Sequence, residues 1–98
     1  DFDNDGDLDL FVVNYVHWNR ALEPACGAAD RTYCHPRHYA PLPNTLYRNN
    51  NDGTFTDISA ASGIAAHPGK GMGLAFGDYD GDSLLDIFVT NDTEPNFL

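Results

Sequence analysis

Basic residues are scarce in this chain: five lysines and arginines stand against fifteen aspartates and glutamates, for a formal charge of -10 over 98 residues. A surface so poor in cations has little to offer a phosphate backbone or an anionic bilayer, which argues against nucleic acid as a partner. Apolar runs of spanning length are also missing, so no segment reads as inserting into a membrane. Methionine occurs once, as Met72, and the first residue, Asp1, already lies inside a motif. The expectation is a fragment or processed piece of a longer chain, with any signal peptide upstream. Cysteine is limited to Cys26 and Cys34. No nucleophile–base constellation stands beside the acidic stretches, so catalytic residues are not expected.

Aspartate is what the chain has in excess, and it is concentrated. "DFDNDGDLDLFVVN" at residues 1–14 recurs as "DYDGDSLLDIFVTN" at residues 78–91. The two copies match at Asp1/Asp78, Asp3/Asp80, Asp5/Asp82, Leu8/Leu85, Asp9/Asp86, Phe11/Phe88, Val12/Val89 and Asn14/Asn91, with aromatic for aromatic at Phe2/Tyr79. An internal repeat of this kind marks a repeat architecture.

Carboxylates at alternate positions repel one another: a pair about 4 Å apart costs on the order of 4 kcal/mol at an effective dielectric of 20. A cation relieves that cost, and hard oxygen donors suit Ca²⁺, which takes six to eight of them in a flexible shell. Two calcium sites are therefore expected. In the first, Asp1, Asp3, Asp5 and Asp9 converge with the backbone carbonyl of Asp7, and Gly6 permits the sharp turn. In the second, Asp78, Asp80, Asp82 and Asp86 join the carbonyl of Leu84, with Gly81 in the turn and Ser83 in the place of Gly6, so a less relaxed turn is expected. Mg²⁺ demands stricter octahedral geometry and fits less well. An EF-hand begins with the same spacing but requires a glutamate at its twelfth position, where Val12 and Val89 stand. Acid–base catalysis by paired carboxylates is set aside, because a ligating carboxylate is poorly placed to exchange protons.

The segments after the loops are β-branched and aromatic, and "LYRNNNDGTFTDI" reads as a hairpin turning at Asn51-Asp52-Gly53. "SAASGI" is consistent with one helical turn ending at Gly63. In "GKGMGLAFGD", Gly71, Gly73, Ala75 and Gly77 share one strand face while Met72, Leu74 and Phe76 share the other, a pattern that suggests close backbone approach. Strands apolar on both faces need neighbours on both sides. The fold class is all-β.

The stretches "NTLYRNNNDGTFTDISAASGI" and "GKGMGLAFGDYDGDSLLDIFVTN", with "NFL" after them, together resemble the FG-GAP/VCBS repeat. That repeat is the calcium-binding blade of integrin-α-type β-propellers and of cartilage-acidic-protein-like propellers common in bacteria. The resemblance covers residues 1–16 and 44–98. It implies four-stranded antiparallel blades with calcium in the loop joining the first two strands, usually in extracellular or cell-surface proteins. Residues 71–77 would be an inner strand, 8–14 and 85–90 second strands, and 45–49 and 54–58 the third and fourth, about one and a half blades in all. The organisation expected is a first calcium loop and strand at 1–16, a cysteine-containing insertion at 17–43, an outer hairpin with connector at 44–70, and the start of a second blade at 71–98.

The insertion holds Cys26, Cys34, His35 and His38 in a C-x7-C-H-x2-H pattern. A Cys26–Cys34 disulfide is the ordinary expectation in a secreted protein; a soft-metal or redox site is the alternative, although the spacing matches no standard zinc motif. Trp18, Arg37 and Tyr39 are of types that bind sugar, and Asn91-Asp92-Thr93 is a glycosylation sequon. The function expected is a non-enzymatic structural or adhesive module, one unit of a larger array or fibre. Its expected partners are other repeats of the same protein, neighbouring subunits, or an extracellular protein or glycan. The alternative is an accessory propeller of a secreted carbohydrate-active enzyme.

Overall fold

A computed structural model describes residues 1–27 and 33–98 of the chain. The described residues form eight short strands: β1 Leu10–Val12, β2 Val16–His17, β3 Ala40–Pro43, β4 Thr45–Asn49, β5 Phe55–Asp57, β6 Pro68–Gly69, β7 Gly71–Gly77 and β8 Asp86–Asn91. Of these, β1, β4, β5 and β8 carry β-branched and aromatic residues after turn chemistry. Single 3₁₀ turns occupy Arg20–Leu22, Pro36–His38 and Ile64–Ala66. The described residues contain no α-helix, and none of their helical segments is long and apolar enough to cross a membrane.

All pairings between strands are antiparallel. In the first sheet β4 lies between β1 and β5, with Phe11 opposite Leu46 and Arg48 opposite Thr56. These are the second, third and fourth strands expected of one blade. β7 and β8 pair along their length, as the first two strands of the next. Beyond β8, Val89 pairs with Phe97, the same relation that joins Val12 to Thr45 in the first sheet. The chain is thus all-β and forms part of a β-propeller, one blade minus its inner strand and the beginning of a second.

The hairpin between β4 and β5 turns at Asn51 (φ 56°) and Gly53 (φ 85°), closed by the Asn50 amide on the Thr54 carbonyl at 3.0 Å. The helical turn after β5 is a single one, with the Ser62 amide on the Ile58 carbonyl at 2.8 Å and Gly63 at φ 85°. A third sheet, order β2-β3-β6, had no counterpart in the sequence pattern. Its central strand carries Pro41 and Pro43, yet Ala40 and Pro41 pair only with β2 while Leu42 and Pro43 pair only with β6. Each half of β3 is an edge on its other side, where a missing N–H is tolerated.

The core is thin. Among the described residues Leu46 and Val89 are the buried hydrophobic ones, while Met72, Phe76 and Leu98 are more than half exposed. The radius of gyration is 16.7 Å, against about 13 Å for a compact domain of 100 residues. Sheets with apolar side chains on both faces require further layers, so the two blade portions leave much of β7–β8 uncovered.

The glycine face of β7 is crowded at one end only. A Cβ on Gly71 would lie 2.3 Å from Val13 Cγ1 and 3.0 Å from the Asn14 carbonyl, which accepts the Gly71 amide at 3.0 Å. At Gly73 it would meet Thr90 Oγ1 at 2.7 Å, whereas at Gly77 nothing lies within 4 Å. The register also slips between Gly71 and Gly73. Close approach is therefore the role of Gly71, where the second blade is fastened to the first. Gly71→Ala should cost about 1–3 kcal/mol by overpacking, and Gly77→Ala should leave the melting temperature of the chain within about a degree or two, as surface substitutions usually do. Thermal melts of the two variants check this, and equal losses would contradict it.

Candidate metal centre

Each aspartate loop begins with the carboxylate of its first residue folded back over the turn. Asp1 Oδ2 accepts the Gly6 amide at 3.2 Å, and Asp78 Oδ2 accepts the Ser83 amide at 3.0 Å. Asp5 Oδ1 accepts from the Asp7 amide at 2.9 Å, as Asp82 Oδ1 accepts from the Leu84 amide at 2.8 Å. The last aspartate closes each loop: Asp9 Oδ2 takes the Phe2 amide at 2.9 Å, and Asp86 Oδ2 takes the Tyr79 amide at 2.7 Å. In the second loop Asp78 Oδ1 also accepts from Gly81 at 2.7 Å, and Asp80 Oδ1 from Asp82 at 3.1 Å.

Both loops need a left-handed residue at the same two places, the fourth and sixth. The first fills them with Asn4 (φ 59°) and Gly6 (φ 94°), the second with Gly81 (φ 80°) and Ser83 (φ 71°). Asparagine and glycine enter this region readily; serine with its Cβ does so at a cost of roughly 1–2 kcal/mol. The second loop is thus the more strained, and its backbone path is nevertheless the same.

These turns bring together Asp1, Asp3 and Asp9 in one cluster and Asp78, Asp80 and Asp86 in the other. Within each, one carboxylate oxygen per residue lies within 4.8 Å of the others. The carboxylates of Asp5, Asp7 and Asp82 stand outside the clusters, while the expected carbonyl donors Asp7 and Leu84 sit in the same turns. Burial pushes the Asp9 carboxyl up, since its side chain is only 4 % exposed. The amides of Asn49 and Phe2 outweigh that and hold it below the ordinary aspartate value. The buried member of the first cluster is therefore ionised at neutral pH.

Asn14 and Asn91, matched in the repeat, hold the blades' connections through partners that lie outside it. The Asn14 amide donates to Asn44 Oδ1 at 3.0 Å, and Asn14 Nδ2 donates to the Pro43 carbonyl at 2.9 Å. The Asn91 amide donates to Asn96 Oδ1 at 2.9 Å, and Asn91 Nδ2 to the Pro95 carbonyl at 2.7 Å. The same clasp closes both blades, and the Pro-Asn dipeptides at 43–44 and 95–96 were its sequence signal. Asparagine and proline lie 29 residues apart in the first clasp and 4 in the second. The sequon asparagine thus already spends its amide inside the fold, with Oδ1 buried and unpartnered.

Cys26 and Cys34 are joined by a disulfide, with their Cα atoms 5.4 Å apart. That pairing consumes both thiolates, so the soft-metal alternative for the C-x7-C-H-x2-H pattern loses its two sulfur ligands, while His35 Nδ1 accepts the Arg37 amide at 3.2 Å. Beside it, Glu23 accepts from the Trp18 indole N–H and from the Tyr39 hydroxyl, the latter at 2.6 Å. Trp18 remains 60 % exposed. The hydrogen bond to Glu23, then partial burial and the carboxylate's charge, raise the Tyr39 phenol above its ordinary value. Arg31 and its neighbours at 28–32 lie outside the described residues.

A model of the FG-GAP-like repeat matches residues 1–89. The chain belongs to the FG-GAP-like repeat family. Among individual proteins, cartilage acidic protein 1 of Xenopus tropicalis is 38% identical over 56 residues, which is 57% of this FG-GAP chain and 9% of that protein. The Homo sapiens protein of the same name is 38% identical over 56 residues, 57% of this chain and 8% of its own length, and that of Mus musculus is 36% identical over 56 residues, 57% of this chain and 9% of its own length. The FG-GAP chain therefore matches less than a tenth of the length of these curated relatives. No solved structure matches.

Two outcomes are expected of this geometry. Ser83→Gly should stabilise the second loop by about 1 kcal/mol by relieving its left-handed backbone, read as a raised melting temperature in calcium-free buffer. Because the folded Tyr39 phenol is raised, its contribution to stability is present below the ordinary tyrosine value and is lost as pH rises through the folded one. The Tyr15 phenol, hydrogen-bonded to Asp92 at 2.6 Å, is raised as well, so ultraviolet titration should find two late-ionising tyrosines, of which Glu23→Gln returns only Tyr39 toward the ordinary value.

Proposed function

We propose that this FG-GAP chain is a calcium-stabilised, non-enzymatic blade module of an extracellular β-propeller, serving as scaffold or adhesion surface. The observation that carries the reading is the equivalence of the two loops: different glycines, one backbone path, and the same three carboxylates gathered in each. The donor set is all hard oxygen. Two oxygens bound to one Ca²⁺ at about 2.4 Å can stand no more than about 4.8 Å apart, and the clustered oxygens fall within that span. Asp1, Asp3 and Asp9 would hold the first ion with the Asp7 carbonyl, and Asp78, Asp80 and Asp86 the second with the Leu84 carbonyl; the carboxylates of Asp5 and Asp82, which stand outside the clusters, would have to swing inward to join these shells. Calcium would supply charge neutralisation and cross-linking of the turn, so that metal binding and local folding are coupled.

The disulfide supports an oxidising, extracellular location. The exposed faces of β7 and β8 support other repeats of the same protein or a neighbouring subunit as partners, with an extracellular protein or glycan as the external ligand. Calorimetry should find two calcium sites in the protein, and chelation should lower its melting temperature. Asp3→Ala should weaken the first site at least tenfold and leave the second within twofold. A chain indifferent to both calcium and chelator would overturn the reading.

A further inference from the structure

The geometry points to Asn49 as a positioning residue for the first metal loop, an assignment that rests on the calcium reading above. Asn49 ends β4, 40 residues from the aspartate it serves, and it is not itself one of the clustered oxygen donors. Its amide donates to Asp9 Oδ1 at 2.9 Å. Its side-chain Nδ2 donates to the carbonyl of Leu8, the residue before Asp9, at 3.1 Å. Its Oδ1 accepts the Asn51 amide at 3.0 Å and so anchors the β4–β5 turn. One side chain and one amide therefore tie the turn of the third and fourth strands to the end of the aspartate loop.

The consequence for the metal follows from where these bonds land. The Asn49 amide on Oδ1 and the Phe2 amide on Oδ2 fix the plane of the Asp9 carboxylate. Each oxygen keeps a further lone pair for a cation. Holding the Leu8 carbonyl fixes the backbone from which Asp9 projects. A carboxylate so held loses little freedom when it binds an ion, and the partners behind metal ligands are worth roughly 10–100-fold in metal affinity.

The test is a calcium titration of the full chain by calorimetry, comparing wild type with Asn49→Ala and Asn49→Ser, beside melting curves in chelator. Serine retains an oxygen for the Asn51 amide but is too short to reach Leu8, and it stands in should the alanine variant fail to fold. Both variants should bind calcium about tenfold more weakly at the first site, with the second site within twofold of wild type and the calcium-free melting temperature nearly unchanged. Wild-type affinity at the first site, with a lowered calcium-free melting temperature, would make Asn49 a purely structural residue and overturn the assignment. Equal weakening of both sites, or wild-type affinity in Asn49→Ser alone, would overturn it as well. Absence of calcium binding by the wild-type chain would overturn the calcium reading itself, a result distinct from all of these.

Discussion

Mutual repulsion of aspartates set at every second position governs the rest of this molecule. Three carboxylates within 4.8 Å of one another are tolerable only if dipoles or a cation offset them. Backbone amides do part of that work: Gly6, Phe2 and Asn49 point N–H groups at the first cluster, and Ser83, Gly81 and Tyr79 at the second. An amide offers only a partial charge, and the divalent ion proposed for each cluster would offset what the amides leave. The turn that gathers the carboxylates is also the turn that aims β1 and β8 into their sheets. Charge and topology are settled by the same residues.

Around that constraint the two blades are built alike. Asn14 and Asn91 close each blade with the same pair of hydrogen bonds, and Val12–Thr45 and Val89–Phe97 pair in the same relation. The largest variation lies in the connection between the clasping residues, short in the second blade and long in the first. The long connection carries the disulfide and the Glu23 bridge between Trp18 and Tyr39. A pairing of β2 with β3 ties down its base, which leaves the blade's own strand order undisturbed. Gly71 fastens the second blade to the first by letting its backbone meet Asn14. With Leu46 and Val89 as the buried apolar residues, these polar fastenings carry much of the specificity of the assembly.

The loops, the β4–β5 turn and the β7 strand were legible in the sequence because each is a local pattern: alternating aspartates, Asn51-Asp52-Gly53, alternating glycines. The clasps were not, because Asn14 reaches Pro43 and Asn44 across a long connection whose length conceals the equivalence with Asn91, Pro95 and Asn96. The small β2-β3-β6 sheet was also hidden, since two-residue pairings through Pro41, Pro43 and Pro68 leave no periodic trace. The glycine face of β7 announced close approach without saying where. Only the contacts of Gly71 and Gly73 separate the crowded end of the strand from the open end at Gly77. In the loops, the absent glycine at position six of the second copy pointed to strain, and Ser83 adopts the left-handed backbone that carries it. That Asn4 and Gly81 share the same demand became visible only in the dihedral angles.

The central claim is that each aspartate loop is organised around one calcium ion. Anomalous scattering from crystals of the calcium-loaded protein tests it most directly. The account predicts one peak in each loop, within about 2.3–2.6 Å of oxygens from Asp1, Asp3 and Asp9 and from Asp78, Asp80 and Asp86. Loops that keep their fold with no anomalous peak at saturating calcium would contradict it.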